Sequence, residues 1–433
     1  MFLTSFDICE PVYYHYPTFE PYDAVMNTQS MRKIDRSVGK PICFLLTLAY
    51  KFLKVFKKPS AVRHPKNILF IEMSEMGSII LAYSLFMKTK QYYPEASLYF
   101  LTFKQSRYAV DILDIIPEKN VFYIDNRNLW FLALSTIKSL SGLRRINLDM
   151  AVDMETFSRF SAILSYLSCA TNRVGFYRFN QEGLYKGRFL THEVPFNPHI
   201  HMTQNMLNLI YAAHSPKSDI PPTKRIPDDK DILIPKYHPP KNIEQKVRKK
   251  LAEGIPLKRK NSKIILINPN ASDIVPLRRW PEEYYIRLIR LILKNPNPVI
   301  LITGQASEKK QAEKIIREVA SDRCLNFAGK TSFPELITLY HIADILITND
   351  SGPVHFSSMT GIRTFVFFGP ETPEIFGPLG EKSHVFYKGM ACSPCVSAFN
   401  QKHSPCRDNQ CLKRITPDEV YEKVLPYLDE EKA

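Results

Sequence analysis

The sequence predicts an α/β protein: two Rossmann-like, doubly wound parallel-sheet domains facing a cleft, with an N-terminal amphipathic helical extension. Three observations carry this. Short apolar runs such as Asn67–Met73 and Lys263–Asn268 have the composition of strands buried on both faces, and they alternate with helical stretches. The alternation occurs twice, separated by residues 215–262, where Pro216, Pro221, Pro222, Pro227, Pro235, Pro239 and Pro240 break the pattern. A chain of 433 residues has room for such a pair of units, at roughly 100–200 residues per domain.

The elements follow in order. Residues 1–35 are polar and aromatic, with Pro11, Pro17 and Pro21, and no regular structure is expected there. Ile42–Phe56 is apolar except for Thr47, Lys51 and Lys54; with Lys58 these form one polar stripe on a helix, opposite Phe44, Leu45, Leu48, Phe52, Val55 and Phe56. About 15 residues rise only about 22 Å, too little to span a hydrocarbon core of about 30 Å. Such a helix either packs on the main domain or lies in the plane of a membrane interface, its lysines meeting anionic headgroups, and the wide apolar face favours the membrane. In the first unit, strands are expected at 67–73, 97–103, 121–124 and 148–153, with helices at 78–93, 128–140 and 158–168. In the second they are expected at 263–268, 298–303, 324–327, 345–348 and 364–368, with helices between them and a last one at 417–428. Within the connecting stretch, 231–235 reads as strand and 242–252 as helix. The expected organisation is an extension (1–65), a first domain (66–228), a linker region (229–262) and a second domain (263–433).

Composition narrows the class. Hydrophobic residues make up 45% and charged residues 23%, as in a soluble globular chain; a disordered tail, a collagen and a polytopic membrane protein are excluded. The net charge of +15 favours anionic partners. No basic-aromatic motif of a nucleic-acid module is present. Met1–Glu20 has no secretory pattern, so a reducing compartment is expected. Cys9, Cys43, Cys169 and Cys324 read as reduced core residues. Cys392, Cys395, Cys406 and Cys411 have a spacing that can hold tetrahedral Zn²⁺.

The strongest local signal is Thr348-Asn349-Asp350-Ser351-Gly352-Pro353-Val354-His355, directly after a buried strand. Ser351 or Asp350 is expected to cap the helix that starts near Gly352, leaving free N–H groups that suit a diphosphate, with Gly352 allowing close approach. His355, one turn in, can face the same ligand. Asn268-Pro269-Asn270-Ala271-Ser272 ends another strand, and Arg278-Arg279-Trp280-Pro281 opens the next helix; two arginines there offer forked donors to phosphate. Phe368-Gly369-Pro370-Glu371 ends a third strand. Gly329-Lys330-Thr331-Ser332 precedes a helix with Glu335 in its first turn, where a carboxylate suits ribose hydroxyls or simply the helix dipole.

Together NPNAS…RRWP, GKTSFPEL, NDSGPVH, FFGP and the ensuing cysteines resemble glycosyltransferase family 9, the ADP-heptose:lipopolysaccharide heptosyltransferases; ILFIEMSEMGS resembles that family's first strand and loop. The resemblance covers roughly residues 66–430 and implies a GT-B fold and an inverting, metal-independent transfer to an acceptor in the lipopolysaccharide inner core. It places Ser272 and Arg278 at nucleotide-phosphate contacts, Glu335 at the ribose, and Asp350, Ser351, Gly352 and His355 at the sugar diphosphate. The first loop departs from the pattern. Ser78 stands where the family has the Asp expected to be the general base, and Glu72 where a basic residue is common. A serine cannot accept the acceptor's proton unaided. Glu75, three residues earlier, is the nearest replacement and Glu72 the second, and a partly desolvated cleft is expected to raise the Glu75 pKa.

The expected function is transfer of heptose or a related sugar from a nucleotide-diphospho sugar to a lipid-linked or polysaccharide acceptor, in a bacterial lipopolysaccharide pathway, peripheral at the cytoplasmic face of the inner membrane. No cofactor is required, a structural zinc at the four clustered cysteines being the lesser alternative. The alternative function is a catalytically silent sugar-nucleotide-binding scaffold at the membrane.

Overall fold

The computed structural model describes residues 26–428 apart from 57–61, 74, 179–182, 216–220, 222, 225, 256–261, 273 and 274. The readings made for residues 1–25, Lys58 and Ser74 lie outside it. The extension contains α1 (Thr28–Ile34), a wider π turn at Asp35–Gly39 and α2 (Lys40–Phe56). The expectation of no regular structure before residue 36 is thus corrected. Asn27 caps α1 by accepting from the Gln29 N–H, and Asp35 anchors the π turn. Its carboxylate accepts from the backbone N–H groups of Arg159 and Phe160 at 2.8 and 3.0 Å and pairs with the Arg159 guanidinium at 3.0 Å.

The first sheet is built from β1 (Asn67–Ile71), followed by α3 (Met76–Leu81), β2 (Ser97–Phe103), β3 (Val121–Ile124), α4 (Leu129–Arg145), β4 (Met150–Asp153), β5 (Asn172–Tyr177) and β6 (His192–Pro195). After α5 (Lys241–Gly254) come β7 (Ile264–Asn268), β8 (Val299–Ile302), β9 (Cys324–Asn326), α6 (Phe333–Ile342), β10 (Ile345–Asn349), α7 (Gly352–Ser357), β11 (Arg363–Phe367) and β12 (Ser383–Phe386). The sheets run β3-β2-β1-β4-β5-β6 and β12-β11-β10-β7-β8-β9, and every pairing is parallel. Each therefore has the doubly wound order, with a switch point between β1 and β4 in one and between β7 and β10 in the other.

Strands β5, β6 and β12 were not expected. In β5 the structure shows how a charged residue is accommodated in a buried strand. Arg173 in β5 is buried and donates to the carbonyls of Phe189 and Ala170 at 2.8 and 2.7 Å, so its charge is hydrogen-bonded rather than solvated. The stretch 231–235, expected as strand, is a short turn and irregular chain; α5 falls where a helix was expected. Apolar packing continues from the first domain into the second, joining Ile79 of α3 to Phe356 of α7 and Phe333 of α6 in one core. The rings of Phe333 and Phe356 meet edge-on at 4.8 Å.

The helix α2 sits differently from its sequence pattern. Thr47 is buried, donating to the Cys43 carbonyl at 2.7 Å and accepting from the Arg188 N–H at 2.9 Å. The packed face is Ile42, Cys43, Leu46 and Tyr50, against Ala162, Ile163 and Phe189. The supposed polar stripe therefore begins in the interior. The apolar residues opposite are the ones that face out, with Phe52 65%, Val55 79% and Phe56 74% exposed. Among the described residues no helix is long and apolar enough to cross a membrane.

Candidate active site

The two switch points supply the site. In the first domain β1 leads into Glu72, and Glu75 stands at the start of α3. Glu155 follows β4, and its carboxylate accepts from the Met73 N–H at 3.0 Å. Glu72, Asp153 and Glu155 are all buried. Asp153 pairs with the buried Lys186 at 2.6 Å. Among the described residues, Glu72 and Glu155 have no such cation at ion-pair distance. Burial, then each other's charge and that of Glu75, hold Glu72 well above the usual carboxylate range. Burial first, and then Glu75, push Glu155 up to about 7. Glu72 thus lies beneath the loop near Glu155, with burial and the neighbouring carboxylates favouring its neutral form.

Glu75 is different. Its carboxylate accepts from the Ser78 hydroxyl at 3.2 Å and from the Lys402 ammonium at 3.2 Å. Burial alone would raise its pKa, but Lys402 and Arg278 outweigh it and hold Glu75 below the ordinary value. The expected upward shift is corrected: the cleft is desolvated but cationic at this point.

In the second domain Asn349, fully buried at the end of β10, ties the loops together. Its amide oxygen accepts from the Trp280 N–H at 2.9 Å and the Tyr285 hydroxyl at 3.0 Å, and its amide donates to the carbonyls of Pro269 and Asn270. This positions Asp350 beside Arg278 (3.7 Å), which also pairs with Glu371 at 3.3 Å. Lys402 reaches Glu371 at 3.7 Å. The chain Glu75–Lys402–Glu371–Arg278–Asp350 therefore crosses from one domain to the other. Burial raises Asp350 despite Arg278. His355 is buried and driven down to about 3, chiefly by burial and then by His201, so its ring is neutral.

Four buried polar atoms here have no hydrogen-bond partner among the described residues: Arg278 Nε, Asp350 Oδ2, Glu371 Oε1 and His355 Nδ1. Buried polar atoms without a hydrogen bond are costly; Asp350 Oδ2 and Glu371 Oε1 have only the long 3.7 Å ion pairs with Arg278 and Lys402, and the group is a candidate ligand position. Gly77 lets the two domains approach, since a Cβ there would lie 2.6 Å from Cδ2 of His355.

The structure thus brings together Glu75, Ser78, Arg278, Asp350 and His355. Neither Ser351 nor Asp350 caps α7: the helix has no side-chain cap, and the Ser351 hydroxyl donates back to the Asn349 carbonyl at 3.2 Å. Arg279 is engaged by the Ala271 carbonyl, at 2.8 Å from Nη2, and Ser272 is exposed in the same loop. Glu335 forms a capping box with Ser332 and pairs with Lys246 and Lys250 of α5 at 3.0 and 2.8 Å. Burial opposes its charge, but the lysines and the Ser332 N–H hold it at about 2. Lys402 and Glu155 escaped the sequence reading. Neither belongs to a local motif; each is placed by distant chain.

The four clustered cysteines are free. Cys411 is pushed up to about 11 by burial, with the other three thiols adding to it, so they share a neighbourhood. Cys395 accepts from the Ser404 hydroxyl, and Cys406 bonds the Asp408 carbonyl. Among the described residues no group of three or more His, Cys, Asp or Glu is arranged to hold a metal ion, and no zinc site is formed as the thiols stand.

Residues 137–404, more than half of the chain, match the sequence model of glycosyltransferase family 9 (heptosyltransferase). The chain belongs to this family. Family 9 relatives include lipooligosaccharide heptosyltransferase 2 of Campylobacter jejuni serotype O:6, 30% identical over 173 residues, covering 39% of this chain and 53% of the relative. The chain thus matches about half the length of that relative. Lipooligosaccharide heptosyltransferase 2 of Haemophilus influenzae is 24% identical over 322 residues, 74% of this chain and 88% of the relative. Among solved structures, ADP-heptose lipopolysaccharide heptosyltransferase II of Escherichia coli superposes with a TM-score of 0.63 at 19% identity, covering 84% of this chain and 98% of that one. A family 9 glycosyltransferase of Veillonella parvula gives 0.64 at 15% identity, with 85% and 99% covered. These likenesses establish the family 9 fold, two facing α/β domains of GT-B type. The extension that carries α1 and α2 precedes the matched residues.

Proposed function

We propose that the protein transfers heptose or a related sugar from a nucleotide-diphospho sugar to a glycan acceptor, the lipopolysaccharide core being the expected one, with inversion and without a metal. The observation that carries this is the grouping of Arg278, Asp350, Glu371 and His355, each with a buried polar atom that lacks a hydrogen bond among the described residues, opposite the Glu75 loop. Arg278 and Lys402 are the buried cations available to a leaving diphosphate, acting where charge develops. Glu75, ionised and hydrogen-bonded to Ser78, is the carboxylate nearest to them on the facing domain. In the proposed step Glu75 takes the proton of the acceptor hydroxyl, whose oxygen bonds the anomeric carbon. The bond from that carbon to the diphosphate oxygen breaks, and the diphosphate leaves with the electron pair. The neutral His355 ring can accept from or donate to the sugar without adding charge.

We also read the outward apolar face of α2 as a membrane contact, supported by its wide exposure and by exposed Lys40, Lys51 and Lys54; such contact would place the cleft near a lipid-linked acceptor at the cytoplasmic face. The donor reading is tested by titrating purified protein with ADP and a panel of nucleotide-diphospho sugars. Saturable binding that is weakened by Asp350→Ala and Glu335→Ala, both folded, is expected. Unchanged affinity in both variants places the donor elsewhere.

A further inference from the structure

A cavity of about 370 Å³ lies between the extension and the first domain, within the size range of small-molecule sites, roughly 300–1,000 Å³. Its walls include Met31 and Ile34 of α1, Leu132 of α4, and Phe160, Ile163 and Leu164. Its lining includes Val38 and Arg36, both exposed, and Met73 and Glu155, both buried. It is therefore lined both by surface residues and by residues of the interior, and most of its lining is apolar. Two arginines also line it, Arg32 and Arg36, with the carboxylates of Asp35 and Glu155 and the ring of His403, whose pKa burial and the two arginines lower. Nη2 of Arg32 is buried without a hydrogen-bond partner among the described residues, and Arg32 is close enough to Glu75 for their charges to interact.

Two of the helices that border this cavity, α2 through Ile42 and α4 through Leu132, present large apolar side chains to solvent. On α2 these are the residues described above. On α4 they are Leu129, Trp130, Leu134 and Ile137, with Trp130 69% exposed. An apolar surface flanking an apolar cavity, with arginines at the cavity and lysines on α2, matches the amphipathic chemistry of a lipid: hydrocarbon inside, anionic head beside the cations.

We propose that this cavity binds the hydrocarbon chain of an anionic amphiphile, with Arg32 and Arg36 holding its charged head next to the Glu75 loop. The site is separate from the donor site and owes its walls largely to the extension. It rests on the membrane reading only for how the ligand arrives, and not on the transfer reading.

The probe is dansyl-labelled undecanoic acid, titrated by fluorescence into the full-length protein. Saturable binding is expected, with the dye shifted to the blue. Ile34→Trp and Leu132→Trp fill the cavity from different helices. Each should weaken binding about tenfold or more, as expected when about two methylenes can no longer be buried. Arg32→Ala should weaken the acid but not the corresponding dansyl-labelled alcohol. Thermal unfolding confirms that each variant is folded, and ADP titration of the same samples reports the donor site separately. Absence of saturable binding to the unmodified protein, or unchanged affinity in a folded cavity-filling variant, overturns the proposal, whatever ADP does.

Discussion

Lys402 donates to Glu75 across 3.2 Å, linking residues 327 positions apart in the chain. The ammonium is 4% exposed and also faces Glu371 at 3.7 Å. With Arg278, it is how the second domain sets the ionisation of the loop contributed by the first.

Lys402→Met removes that cation and leaves two carboxylates poorly paired. A loss of about 2–3 kcal/mol in urea unfolding is expected, somewhat below the value for a fully buried pair because Glu75 is partly exposed. The variant also changes the pH profile. In the native protein Lys402 and Arg278 lower the Glu75 pKa against the effect of burial. Without Lys402 burial gains the upper hand, the pKa rises, and the acid limb of the transfer rate moves to higher pH. A profile with an unmoved acid limb would show that Glu75 does not govern the rate.

Gly77→Ala tests the closeness of the two domains. The added methyl would meet the buried ring of His355 at 2.6 Å, and overpacking of this kind costs about 1–3 kcal/mol. Because the strain lies at the loop proposed to hold the donor, ADP affinity should fall together with the melting temperature. A fall in stability with ADP affinity intact would place the ligand away from His355.

Much of this arrangement was legible in the sequence, and the limits have physical causes. The switch-point loops announced themselves because each follows an apolar strand: Glu75 after β1, Asp350 after β10. The motif residue Asn349 was not recognised as the structural tie, since its four partners come from two loop carbonyls, the Trp280 backbone and the helical Tyr285, which sequence spacing cannot bring together. Lys402 was invisible for the same reason. The face of α2 was misread at Thr47, because a threonine that satisfies its hydroxyl on the Cys43 carbonyl can be buried as readily as an apolar residue. The stretch Asn172–Tyr177 hid its strand behind an arginine whose charge is absorbed by backbone carbonyls.

Glu155→Gln should make the protein more stable at high pH. Burial and neighbouring carboxylates raise Glu155 from 4.5 to about 7. A raised carboxyl contributes its stability below the unfolded pKa and loses it as pH rises through the folded value. Above pH 7 the native protein therefore strains to keep this group, while glutamine retains the bond from the Met73 N–H at no such cost. Urea unfolding should show the variant more stable by about 1–2 kcal/mol at pH 8 and no more stable at pH 4. Equal stability at both would mean that Glu72 alone carries the proton.

The exposed face of α2 predicts binding to phosphatidylglycerol vesicles. Phe52→Asp with Phe56→Asp should abolish co-sedimentation at low salt and leave ADP affinity unchanged, because both residues project beyond the packed part of the helix. Unmodified protein that stays in the supernatant would reduce α2 to a structural element.

The central claim is that Glu75 serves as the base in place of the missing aspartate. The most direct measurement is single-turnover transfer by Glu75→Gln, with ADP-heptose as donor and lipopolysaccharide-core acceptor, beside its ADP affinity. Base catalysis acts in the transition state, and its loss typically costs about 10²–10⁴-fold. The account predicts a fall of that order with donor affinity nearly unchanged. Transfer at the unmodified rate by a folded Glu75→Gln protein would contradict it.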